Sequence, residues 1–330
     1  MAKRNLRMSP SRWSSRSGLS MAFLLLPALA LMLGVAPRVQ AQCLSAINPV
    51  GGSSNLLVLE KNTLRVISFY RYHYGNRYFE GSNPSDYDVI SRAGYNYAGL
   101  ILAYGLTRGI TLENEQGYFI NKTQHYRGTS DFLRGNGFAS TVFSLRGSIL
   151  KNDIDRFFIS GSAGARIPYT REKQVKNGTV LPIELQPSYG AFGGVLQLYV
   201  VKEYTETGTR YFFTGRMESS LENRYDERQG NALFTSLFWS KHLMFPWLKG
   251  DWTSIVQLRS EIRGKDRTPL GVKASSGSYL FFLSPQLNSY IREKWNVSVI
   301  LDIPLYQYFH GTQLATRYGI SVNLARDFSL

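Results

Sequence analysis

Arg259, Glu261 and Arg263 alternate with apolar residues, so three charges of alternating sign share one face of an extended segment. Gln257 begins that row, and Trp252, Val256, Leu258 and Ile262 form the opposite face. Arg210, Arg216 and Glu218 fall on the run 209–222 in the same manner. Such ladders have two physical meanings. Facing a water-filled lumen they tune ion selectivity; paired with one another across it they narrow and stiffen it. Arg146, Arg166 and Arg317 are further candidates for the same wall, and Asp302 is a candidate counter-charge. A soluble sandwich is a poor home for these rows, because a buried sheet face does not hold Arg-Glu-Arg unless every charge is paired.

Catalytic chemistry finds little support. The four histidines are His73, His125, His242 and His310, and none is accompanied by a serine in a recognisable nucleophile context. An outer-membrane phospholipase or protease is therefore the weaker alternative, and no catalytic residue is assigned. The single cysteine, Cys43, rules out an intramolecular disulfide framework, and no Cys/His pair has metal-ligand spacing. Gln42 stands before Cys43 where a lipid-attachment box needs a small residue, so Cys43 reads as a plain thiol. No metal and no organic cofactor is expected.

The elements that carry these residues are strands. Runs at 63–74, 92–106, 108–121, 137–151, 154–169, 187–204, 209–222, 230–244, 250–264, 277–292, 294–309 and 312–330 are separated by turn signals. The last is the clearest: Leu314, Thr316, Tyr318, Ile320, Val322 and Leu324 face one way, with Phe328 and Leu330 extending the row and Arg326 interrupting it. Gln313, Ala315, Arg317, Gly319, Ser321 and Asn323 face the other way. In 294–309, Trp295, Val297, Val299, Leu301, Ile303 and Leu305 oppose Asn296, Ser298 and Asp302. An apolar face against a wet face, repeated about twelve times, predicts an all-β antiparallel transmembrane β-barrel.

Loop lengths fit that architecture. Lys151-Asn152-Asp153, Arg292-Glu293-Lys294 and Phe309-His310-Gly311 read as tight turns at one end. The segments 75–91, 122–136, 170–186, 223–229 and 265–276 read as longer connections at the other. Tyr70, Tyr72, Tyr74, Trp239, Trp247, Trp252, Tyr306 and Tyr308 are candidates for interfacial girdles.

The N-terminus points to export. Lys3, Arg4, Arg7, Arg12 and Arg16 precede an apolar run from Met21 to Val35, and Val39-Gln40-Ala41 offers a small-residue cleavage site. Residues 1–41 are thus expected to be a secretory signal peptide, 42–62 an irregular leader or plug, and 63–330 an outer-membrane barrel. The formal charge is +15 for the whole chain and +9 once the signal is removed. The basic residues are spread along strands, which fits a basic lumen facing anionic solutes better than nucleic acid, for which no motif is present.

Two segments carry a family likeness. Gly164-Ala165-Arg166-Ile167-Pro168 leads to Leu181-Pro182-Ile183-Glu184-Leu185-Gln186-Pro187, followed by Gly190, Gly193 and Gly194. Near the end comes Asp302-Ile303-Pro304-Leu305-Tyr306-Gln307-Tyr308-Phe309-His310-Gly311-Thr312-Gln313-Leu314. Both resemble the outer-membrane channels of the phenol degradation meta-pathway transporter-like family, over residues 95–330. Ser188-Tyr189 and His310 depart from its pattern. The resemblance implies a passive outer-membrane channel for small solutes, aromatic or hydrophobic compounds or their acids. It further implies contact with outer-membrane lipid and lipopolysaccharide and insertion by the barrel-assembly machinery. A non-transporting adhesion or scaffold barrel is the remaining class.

Overall fold

A computed structural model describes residues 46–47, 53–54, 58–243, 250–291 and 295–330. The expected signal peptide, most of the leader, Trp247 and the turn Arg292-Glu293-Lys294 lie outside the described residues.

Period-two alternation builds twelve long strands: β1 (Thr63–Gly75), β2 (Ile90–Thr107), β3 (Ile110–Tyr126), β4 (Thr141–Asn152), β5 (Phe157–Ile167) and β6 (Gly193–Tyr204). The chain continues with β7 (Thr209–Ser220), β8 (Ala232–Leu243), β9 (Asp251–Arg263), β10 (Ser278–Ile291), β11 (Trp295–Ala315) and β12 (Tyr318–Ser329). Each pairs antiparallel with the next, and β12 pairs with β1 from Tyr318↔Tyr74 to Ser329↔Thr63, which closes the sheet. The fold is a closed antiparallel β-barrel of twelve strands. Closure removes the free edges that would otherwise expose unpaired backbone groups.

The alternation places side chains inside-out. Leu198, Leu237, Leu258, Val299 and Val322 are exposed on the outer wall, whereas Gln197, Ser236, Gln257, Ser298 and Asn323 are buried inside. Arg326 interrupts the outer apolar row, yet its guanidinium lies 4.8 Å from the Trp295 ring and 4.6 Å from Phe328. That is a rim arrangement, with the stem along apolar rings and the charge held at their faces. At the other end of the same wall Tyr318 packs against Tyr72 and Tyr74.

The final hairpin differs from the expected one in two ways. The run 312–330 is interrupted at Thr316–Arg317, where the Gln307 side chain accepts from the Thr316 N–H and donates to its carbonyl, both at 2.9 Å. Those bonds replace the ladder partners of Thr316, while the Arg317 N–H still bonds the Tyr74 carbonyl of β1 at 2.8 Å. The chain folds back at His310–Gly311, because Phe309 pairs with Ser278 while Thr312 pairs with Glu80 in the register that β12 holds against β1. Gly311 sits at φ +68°, a left-handed conformation that glycine adopts without steric cost. This reversal stands at the end of the barrel that carries the long connections, not at the tight-turn end as its length suggested. A short strand, Arg77–Gly81, continues β1 there, and another, Phe132–Phe138, pairs with the outer half of β3.

Candidate functional site

The interior is crossed by two sets of ion pairs: alternation turns the charges inward, and closure of the barrel decides which of them meet. Arg71 on β1 donates from Nη2 to Asp302 Oδ2 on β11 at 3.0 Å, reaching past β12, and its Nε donates to Ser321 Oγ at 3.2 Å. Arg259 Nη2 on β9 lies 3.3 Å from the same Asp302 oxygen, and its Nε lies 3.2 Å from Glu261 Oε1. Ser284 donates to the other Asp302 oxygen at 2.6 Å. One carboxylate thus holds two guanidiniums and a hydroxyl at the junction of β1 and β9–β11. All of these side chains except Glu261 are at most 10% exposed, so the charges are tolerable only as a set.

The second set spans the lumen as a chord. Arg216 on β7 reaches Glu115 on β3 at 2.8 Å, although three strands separate them along the wall, and its Nε bonds Glu218 at 2.7 Å. Arg166 Nη1 adds a contact to Glu218 at 3.1 Å. Alongside, Arg146 pairs with Glu113 at 2.8 Å and donates to the Tyr199 hydroxyl at 3.0 Å.

Between and above these sets lie two cavities. The outer, of about 520 Å³, opens among the long connections. It is lined by rings (Phe69, Tyr97, Phe119) and by five cationic and four anionic side chains. The inner, of about 280 Å³, is lined by Phe234 and Phe282 with four arginines (Arg71, Arg216, Arg259, Arg263) and three acids (Glu218, Glu261, Asp302). Arg216, Glu218 and Arg263 line both. Arg263 lies 5.2 Å over the Phe234 ring and, among the described residues, makes no ion pair.

Of the residues singled out in the sequence, Arg216, Glu218, Arg259, Glu261, Arg263 and Asp302 meet around the inner cavity. Gln257 is buried inside with its Nε2 donating to Ser236 Oγ at 2.9 Å. Arg210 points inward near the short-turn end, where it pairs with Glu203 at 2.6 Å. Arg317 is not part of this wall. The irregularity at Thr316–Arg317 turns Thr316 inward, 2.9 Å from His73 Nε2, and leaves Arg317 exposed beside Asn76. Sequence reasoning missed Arg71, Glu113 and Glu115. The two glutamates were legible as an inward row with Thr111; Arg71 was hidden because Ile67 and Phe69 share its face. Among the described residues no cluster of His, Cys, Asp and Glu is arranged to hold a metal ion.

The connection between β5 and β6 folds into the barrel mouth, which sequence did not reveal. Its 3₁₀ turn Ile183–Leu185 buries Leu185, and Ile183, Glu184, Gln186, Pro187, Ser188 and Tyr189 line the outer cavity. Burial holds the Tyr189 hydroxyl above its ordinary titration range, so it stays a neutral donor. Lys122 on β3 anchors the segment by donating to the Gln186 carbonyl at 2.8 Å, and Gln186 Nε2 ties the loop to itself through Leu181 O at 2.8 Å. Lys122→Met should free this segment while keeping the stem packed. The expected result is about a tenfold faster proteolytic cut within 170–186 of the folded chain, since opening by about 1.4 kcal/mol is tenfold in the open population. An unchanged cutting rate would show that Lys122 does not hold the loop.

No family model matches the sequence, and no curated protein matches it. Among solved structures, an outer membrane channel from Pseudomonas putida F1 superposes with a TM-score of 0.64 at 13% identity, over 83% of this chain and 98% of that one. The β domain of the Bordetella autotransporter BrkA follows at a TM-score of 0.49 and 7% identity, over 81% and 100%. The KdgM porin gives 0.41 at 10% identity, over 80% and 99%. The last two are too distant to argue from. The first shows the fold: this chain shares the closed barrel of that protein.

Proposed function

We propose that this protein is a passive outer-membrane channel for small solutes, with aromatic acids as the preferred class. The observation that carries the reading is the pair of neighbouring cavities that share Arg216, Glu218 and Arg263 in their linings, set one below the other from the long-connection end. Their linings combine rings with an excess of one cation over anions in each cavity. A flat ring bearing a carboxylate meets both needs, stacking on Phe119 or Phe234 while a guanidinium faces its charge. The resemblance of the segments 164–194 and 302–314 to phenol degradation channels, which no family model match accompanies, points to the same solute class. Around the barrel, the exposed apolar belt suits lipid and lipopolysaccharide, and insertion would depend on the barrel-assembly machinery.

The test is planar-bilayer conductance of the purified mature chain, with liposome uptake of benzoate compared against an uncharged sugar of similar size. Conductance with mild anion preference, and benzoate uptake at least several-fold faster than the sugar, is the expected outcome. Absence of both conductance and flux overturns the reading. A non-transporting scaffold barrel is the second reading, favoured by how fully ion pairs and an apolar cluster of Phe158, Tyr199, Val201, Phe212, Phe238 and Ile255 fill the interior.

A further inference from the structure

Beyond the ion pairs, toward the short-turn end, the interior has two unlike faces. From β5 to β9 the inward positions hold the apolar cluster of Phe158, Tyr199, Val201, Phe212, Phe238 and Ile255, with the Phe212 and Phe238 rings stacked at 4.4 Å, flanked by the buried hydroxyls of Ser160, Thr214, Ser240 and Thr253 and, nearer the turns, by the Arg210–Glu203 pair. The cluster's one polar atom, the Tyr199 hydroxyl, is already bonded to Gln197 at 2.8 Å and to Arg146 at 3.0 Å. The cluster is dry packing.

The facing wall, from β9 to β12, is richer in small hydroxyls and amides: Gln257, Ser284, Asn288, Ser298, Ser321 and Asn323 are all at most 4% exposed, with Ile300 the apolar side chain among them. The row starts at the floor of the inner cavity, because Ser284 bonds Asp302 and Ser321 accepts from Arg71. It then steps down β10, β11 and β12 toward the turns. Each amide spends only half of its capacity. Gln257 donates to Ser236 at 2.9 Å, Asn323 donates to Ser298 at 2.8 Å, and Asn288 accepts from Gln286 at 2.6 Å. Gln257 Oε1, Asn288 Nδ2 and Asn323 Oδ1 have no partner among the described residues, although they are buried from bulk solvent. Buried amide groups in a folded protein are satisfied by protein or by water. Three such atoms along one wall describe a place for ordered water.

We propose that the passage from the inner cavity to the short-turn end runs off-axis, as a hydrated file along the amide wall of β9–β12, while the β5–β9 cluster is a sealed wall. The inference rests on the channel reading for its solute consequence: species that exchange water for amide bonds, such as small carboxylates, pass along Asn288 and Asn323. The file itself is a property of the barrel and is testable without transport.

Cysteine accessibility separates the two. In the full mature chain carrying Cys43→Ser, the variants Asn288→Cys, Asn323→Cys, Val201→Cys and Ile255→Cys would be exposed, folded in micelles, to a small water-soluble methanethiosulfonate reagent. Modification at 288 and 323 at least tenfold faster than at 201 and 255 is expected; equal rates, or faster reaction at 201, overturn the file. In bilayers, Asn288→Leu with Asn323→Leu should lower conductance at least tenfold, while Phe212→Leu leaves it within twofold. The reverse pattern places the passage on the apolar side and overturns the proposal. If the unmodified chain neither conducts nor transports, the channel reading fails, and the labelling rates alone decide whether the wall is hydrated.

Discussion

Asp302→Ala should destabilise the barrel by about 3–5 kcal/mol, the cost of leaving buried charge without its partner. Asp302 is the only residue that both Arg71 and Arg259 reach among the described ion pairs, at 3.0 and 3.3 Å, and the guanidiniums themselves are nearly solvent-free. Arg259 keeps Glu261 at 3.2 Å, so the larger strain falls on Arg71, which is left with Ser321. The measurement is the urea midpoint for unfolding of the reconstituted chain, read at constant lipid and with the slope checked for change. Asp302→Asn retains a polar partner for Ser284 but not the charge, and should lose nearly as much. A pair of outcomes makes the argument specific. Arg71→Leu combined with Asp302→Ala should be less destabilising than the sum of the two single changes, since the second removes the charge that the first stranded. Simple additivity would show that Arg71 and Asp302 are neighbours without being energetically coupled.

The same cluster shows what the sequence made legible and what it did not. Alternation along 250–264 and 294–309 assigns Arg259, Glu261 and Asp302 to inward faces, because a period of two cannot be satisfied with those charges in lipid. Strand number and closure followed from the same signal. Pairing did not follow. Whether Arg259 faces open water or a carboxylate depends on which strands are brought together across the lumen, and Glu115 meets Arg216 only because β3 and β7 stand opposite each other. Most members of the charge ladders are paired, and Arg263 makes no ion pair among the described residues. Irregular backbone was the other blind spot. Period counting carried Arg317 inward through Thr316, where a side-chain clasp from Gln307 breaks the strand locally, although the register against β1 is the same on both sides of the break. The inward fold of the segment around Leu185 had no periodic signal at all; its Pro, Glu and Gln read as an exposed connection.

If the barrel conducts as proposed, Arg263→Glu should reverse its charge selectivity while leaving its stability nearly unchanged. Cations exceed anions by one in the lining of each cavity, and Arg263 belongs to both linings. Exchanging it for an acid changes both by two charges and makes each net negative. Two unit charges at roughly 7 Å from a permeating ion, at an effective dielectric between about 40 and 80, amount to about 1–2 kcal/mol for each ion; the sign is opposite for anion and cation, so their permeability ratio should change on the order of a hundredfold before screening. Because Arg263 is half-buried and makes no ion pair among the described residues, its removal strands no partner. The loss is its stacking on Phe234, about 0.5–1 kcal/mol. Arg263→Gln should fall midway in selectivity. Reversal potentials under a salt gradient measure the ratio, and the shift should be large near 0.1 M salt and shrink near 1 M, where the screening length falls to about 3 Å. A ratio that stays put in the glutamate variant at low salt, in a channel that still conducts, would place the ion path away from Arg263 and from the junction of the two cavities.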